Sequence, residues 1–125
     1  MPAPELRAYV VWIPILPGDD AAAAERAAAS VHDARATQLW DGGRALGDAL
    51  GRVLGLPARG AGRAYGVAWD VYLLYPRGAR WPGAAGELTR PAMWMQQLDD
   101  VGPDVAPELD GRALRAEVEA SLVAR

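Results

Sequence analysis

The chain has no cysteine, no lysine and no phenylalanine, and only one histidine, among 125 residues. Without cysteine there can be no disulfide, no thiolate nucleophile and no thiolate-ligated metal. The redox clue to a cellular compartment is lost with it. Without lysine, all 13 basic residues are arginine. Beside abundant alanine and glycine, this fits the bias of a GC-rich genome better than a set of anion clamps. The arginines are scattered, at Arg26, Arg52, Arg77 and Arg112 for example. With a net charge of −3 and a pI near 5.1, they do not form the basic face that nucleic-acid binding requires. Long apolar runs are also missing. The longest, Ala8 to Leu16, falls well short of the ~20 residues of a membrane helix. No basic stretch leads into an apolar run at the N-terminus, so no signal peptide is expected. The expectation is a cytoplasmic protein with no membrane and no nucleic-acid partner.

What is present suits one domain over residues 1–125. Half the chain is apolar, and with no phenylalanine the bulk comes from five tryptophans, four tyrosines and the aliphatic set. The segment Leu6 to Leu16, LRAYVVWIPIL, is β-branched, aromatic and almost continuously apolar, as in a strand covered on both faces. Pro17-Gly18 ends it. Asp19 or Asp20 can cap a helix over Asp20 to His32, with Ala23, Ala24, Ala27, Ala28 and Val31 inward. Thr37 to Trp40 reads as a short strand. Arg44 to Leu54 is a helix with Leu46, Leu50, Val53 and Leu54 on one stripe and Gly55 at the C-terminal cap.

Pro57 to Gly66 reads as a mobile loop and Val71 to Tyr75 as a strand. Pro76 to Gly78 turns that strand, so that Ala79 to Trp81 could pair back. Trp81 to Arg90 is a loop, and Pro91 to Leu98 is a short helix with proline in its first turn. An acidic connector, Asp99 to Pro107, leads to a last helix over Gly111 to Val123. Asp110 caps it, Leu109 staples onto Leu114, and Leu114, Val118 and Leu122 form its apolar stripe. The order β-α-β-α-β-β-α-α points to an α/β layered domain.

The stretches YVVWIPI, TQLWD, GRALGDALGRVLGL and WDVYLLYPRGARW, in this order, resemble the later part of a thioredoxin-like redoxin of the peroxiredoxin or thiol-disulfide oxidoreductase type. The resemblance spans Leu6 to Trp81. It implies a thioredoxin-like layered sheet with flanking helices, truncated at the N-terminus. The family's cysteine-bearing strand-helix unit should precede Tyr9, and the chain starts too late to hold it. Where the family places a proline before its hairpin strand, this chain has Val67-Ala68-Trp69-Asp70. No catalytic residue carries over.

In the family the missing strand is central, between the strands corresponding to Tyr9–Ile15 and Val71–Tyr75. Either those two strands pair directly, or another chain covers the gap. The second outcome implies a homodimer or a partner-bound domain. A fragment of a longer chain, or a misassigned start, is the alternative.

Two groups of residues are candidates for binding. Asp19, Asp41 and Asp70, with Trp40 and Trp69 in two Trp-Asp dipeptides, would line the carboxyl edge of the sheet, where α/β ligand sites lie. Helix caps and core packing are the competing account. A metal would need several converging oxygens, and none is expected. Met93, Trp94, Met95 and Leu98 would put soft apolar side chains on the short helix, as an interface or as a lid over the core. His32, beside Asp33, suits a helix-dipole contact better than general-base work. Gly47 and Gly51 fit close helix packing, since no phosphate-loop motif surrounds them.

The expectation is a non-catalytic binding or assembly module of thioredoxin-like ancestry, with no cofactor, acting as a homo-oligomer or with a protein partner. The alternatives are a fragment or accessory subunit of a thiol-disulfide oxidoreductase, or a small-ligand or metal binder at the Asp41/Asp70 edge.

Overall fold

A computed structural model describes residues 5–82 and 87–124. The chain is mixed α/β, with the order β1 (Ala8–Trp12), α1 (Ala21–Ala28), β2 (Ala36–Trp40), α2 (Ala45–Leu54), β3 (Val71–Leu74), β4 (Met93–Gln96) and α3 (Gly111–Val123). It divides into two compact units, Met1–Gly47 and Asp48–Arg125, with the boundary inside α2.

In the first unit β1 and β2 are parallel, with Tyr9 opposite Thr37 and Val11 opposite Leu39. α1 is the crossover between them, so the unit is a βαβ motif. The Pro17-Gly18 turn, closed by the Asp19 N–H on the Leu16 carbonyl at 3.0 Å, frees the chain to start α1. Asp20 caps that helix through the Ala23 N–H at 2.7 Å. α1 is shorter than its alanine pattern predicts. It ends at Ala28, and Ser30 and Val31 make tighter hydrogen bonds to the Ala27 and Ala28 carbonyls.

In the second unit β3 and β4 are antiparallel, with Val71 opposite Gln96 and Leu74 opposite Met93. Two sequence expectations fail here. Ala79 to Trp81 does not pair back, and Pro91 to Leu98 is not a helix, because Met93–Gln96 takes the place beside β3. Proline at a first turn is only a local preference. Here it loses to a run that pairs with β3 and is buried on both faces, as Met95 and Gln96 are adjacent and both buried. Trp81 instead meets the Tyr75 ring edge-on, with centroids 5.9 Å apart. Tyr75 donates to the Thr89 carbonyl at 2.8 Å. Within the expected Trp81–Arg90 loop, residues 83–86 lie outside the described residues.

α2 ends as its glycine predicts. Gly55 has φ +68°, its N–H donates to Arg52 at 3.2 Å, and the Leu56 N–H donates to Gly51 at 2.9 Å. This is a Schellman cap, which favours a residue without a side chain at the left-handed position. α3 matches its expected span and is capped by Asp110, which accepts from the Arg112 and Ala113 N–H groups. Leu114, Val118 and Leu122 are its half-buried residues.

The two sheets are separate, and among the described residues β1 pairs with β2 rather than with β3. Direct pairing of the Tyr9–Ile15 and Val71–Tyr75 segments, one of the two expected outcomes, is therefore not found.

Candidate functional site

The expected carboxylate edge separates into residues that each have a structural task. Asp19 accepts from the Ile15 and Leu16 N–H groups at 2.9 and 2.7 Å. The Leu16 bond first, and then the Ile15 bond, lower its pKa. Its carboxylate thus braces the turn after β1, and Asp20 rather than Asp19 caps α1. Asp41 follows β2 and receives the Ala45, Leu46 and Gly47 N–H groups at 2.9, 2.9 and 3.2 Å. These are orphan donors of the first turn of α2. Trp40 lies over Gly42, where an added Cβ would fall 2.7 Å from the indole nitrogen.

The Asp41 geometry yields a clear expectation. Asp41→Ala should cost ~1 kcal/mol of stability, and Asp41→Asn should restore part of it, because the amide keeps one accepting oxygen where the carboxylate uses two. Urea unfolding of the three proteins checks this. Equal stability of the alanine variant and the wild type would remove the capping role.

Trp69 and Asp70 belong to the second unit. Arg59 lies over the Trp69 ring at 5.7 Å and forks onto Asp100 with bonds of 2.7 and 2.5 Å. Arg59 holds the Asp100 carboxyl below its ordinary range. Asp70 has φ +48°, and its carbonyl accepts from the Gln97 N–H at 3.0 Å. Aspartate tolerates that left-handed conformation better than most residues. Burial, and after it the Asp70 charge, raises the Tyr72 phenol, which donates to Gln97 at 2.7 Å. His32 is exposed. Among the described residues no three His, Asp or Glu side chains gather as metal ligands.

Of the apolar candidates, Met95 and Leu98 are buried, and Met93 and Trp94 are half-buried. Gln96, between them, was not singled out in the sequence, yet it is wholly buried, at 0% exposure. Its amide donates to the Val101 and Ala106 carbonyls at 3.2 and 3.4 Å and accepts from the Leu98 N–H at 2.5 Å. Its backbone bonds Pro107 and Leu109. The connector between β4 and α3 is thus wound around one side chain. A pair of glutamines, Gln96 and Gln97, closing an apolar run is the only signal the sequence carries.

Two of the exposed large apolar side chains of the first unit, Tyr9 and Leu39, lie on its sheet. Trp12 donates to Gln38 at 2.9 Å, and Gln38 donates to the Ala28 carbonyl of α1 at 2.8 Å. Trp12 and Gln38 therefore define the face turned toward α1. Residues paired in parallel register share a face and alternate along each strand. Tyr9, Val11, Thr37 and Leu39 consequently form the opposite face. Tyr9 is 67% exposed and Leu39 49%, and none of the four carries a charge.

No protein-family model, no curated protein and no solved structure matches this chain.

Proposed function

We propose that the protein is a non-catalytic assembly module of thioredoxin-like ancestry that pairs with a second copy of itself through the open face of the β1–β2 sheet. The observation that carries this reading is the exposure of Tyr9 and Leu39 on the face opposite α1. Parallel strands are normally covered on both sides, because their crossover helices and neighbours pack there. A two-stranded pair is also marginal on its own. A covering surface supplies what the pair lacks.

A second copy suits this face because the face is uncharged. Two-fold association places the same patch against itself, and an apolar patch meets its own image without like-charge repulsion. The βαβ arrangement of β1, α1 and β2 supports the ancestry, since redoxin sheets are built from such units.

Sedimentation velocity at micromolar concentration tests the proposal. The wild type is expected to sediment as a dimer. Leu39→Arg, which places a charge at the centre of the face, is expected to shift it to monomer with an unchanged circular dichroism spectrum. A monomeric wild type, or a dimer that survives Leu39→Arg, would overturn the reading.

A further inference from the structure

The second unit contains an open cleft of about 380 Å³ lined by Asp48, Arg52, Arg63, Ala64 and Tyr65. Asp48 and Arg52 stand four residues apart on α2, and so lie on one side of it. Arg63, Ala64 and Tyr65 come from the segment after the helix. That segment is held close to α2 by two glycines. An added Cβ on Gly51 would fall 1.7 Å from the Gly66 carbonyl oxygen, and one on Gly66 would fall 2.4 Å from the Pro57 carbonyl oxygen. The Gly66 N–H also donates to Leu56 at 3.0 Å. The walls of the cleft are therefore fixed by backbone contact rather than by side chains alone.

The polar groups of the cleft are unbalanced. Arg63 gives one N–H to Asp48 at 3.2 Å. Its remaining N–H groups, the Arg52 guanidinium and the Tyr65 hydroxyl have no hydrogen-bond partner among the described residues. Tyr65 is 44% exposed. Two guanidinium groups and a phenol thus face a single carboxylate, leaving a surplus of donors and of positive charge in a chain that is acidic overall. Planar guanidinium forks match the oxygens of a phosphoryl or carboxylate group.

We infer that this cleft binds a small oxyanion, a phosphoryl or carboxylate group, between Arg52 and Arg63 with the Tyr65 hydroxyl as a third donor. Asp48 orients Arg63 and tempers the affinity. The site is independent of the sheet face through which the chain is proposed to assemble.

Titration of the full chain with inorganic phosphate and, separately, with citrate tests the inference. Backbone amide NMR shifts are followed at constant ionic strength, with chloride as the control. Saturable shifts are expected at residues 63–66 with one of the two anions and not with chloride. The anion that binds more tightly identifies the group. Arg52→Gln and Arg63→Gln should each weaken binding about tenfold, the effect of one lost charge-assisted hydrogen bond. Arg52→Lys, which keeps the charge and loses the fork, should fall between. Spectra dispersed as in the wild type confirm that each variant is folded. Shifts that fail to saturate, that chloride reproduces, or that persist in a folded Arg52→Gln variant would overturn the inference.

Discussion

Gln96→Ala is expected to destabilise the second unit by about 3–5 kcal/mol, more than any surface substitution in the chain. The glutamine is wholly buried, and its amide satisfies the Leu98 N–H and the Val101 and Ala106 carbonyls. Truncation leaves those backbone groups unpaired in a site closed to water, at ~1–3 kcal/mol for each group left without a partner. It also opens a cavity where the wholly buried side chain stood, which adds a packing loss of its own. The individual costs overlap, since backbone relaxation can rescue some of these bonds.

Gln96→Glu separates the polar loss from the cavity, because its size is the same. A carboxylate there would face two carbonyl oxygens with no proton to offer. Burial and those carbonyls raise the folded pKa above the unfolded value. The stability deficit should therefore be smallest below the unfolded carboxyl pKa and grow as pH rises through the folded one. Urea unfolding of the wild type and both variants, at acidic and neutral pH, reads this directly. A Gln96→Ala loss under about 1 kcal/mol, the net worth of a single ordinary hydrogen bond, would show that the connector from Leu98 to Leu109 does not depend on this side chain.

Gly51→Ala is expected to have the second largest effect, of a sign opposite to helix propensity. In an exposed helix interior the change should stabilise by roughly 1 kcal/mol. Here the new Cβ would sit 1.7 Å from the Gly66 carbonyl oxygen. Both contacting groups lie on the backbone, so no rotamer change relieves the clash. α2 and the segment carrying Gly66 must move apart, at a cost on the scale of overpacking, about 1–3 kcal/mol and occasionally more.

A net loss of up to about 2 kcal/mol follows where the clash exceeds the propensity gain. Gly111→Ala in the first turn of α3 is the control, since nothing lies near its would-be Cβ. It should be neutral or slightly stabilising. Gly51→Ala melting at or above the wild-type temperature would mean that the helix and the Gly66 segment are not in contact at this glycine.

These two residues mark how far the sequence can be read. Features that depend on neighbours in the chain were legible. The caps at Asp20 and Asp110, the C-terminal glycine at Gly55, the span of α2 and the span of α3 all follow from side chains acting on backbone groups a few residues away. The close-packing role of Gly51 was also legible as a type of role, because a glycine inside an amphipathic helix needs a reason to be there. Its partner was not, since Gly66 is placed against it only by the fold.

The failures share one cause. Pro91 to Leu98 has a helix-starting proline and soft apolar residues, and its eight residues are too few for periodicity to distinguish helix from strand. Pairing with β3 decided the matter. Asp19, Asp41 and Asp70 read as a ligand edge because carboxylates at strand ends look alike whether they bind a ligand or the backbone. Only the folded chain places three amide groups on Asp41 and two on Asp19. Gln96 carries no mark of its role in the sequence, because its value lies in the three backbone groups the fold brings to its amide.

By itself, the order of residues determined the chemistry excluded by the absence of cysteine, the alternation of helices with strands, and most helix ends. Each is a property of composition or of interactions within a turn or two of chain. The tertiary structure decided which strand lies beside which, which face of β1 and β2 is left open, and which polar side chains are spent on the backbone. Those outcomes depend on groups far apart in sequence, whose pairing is selected by burial and hydrogen-bond satisfaction across the whole unit rather than by any local preference.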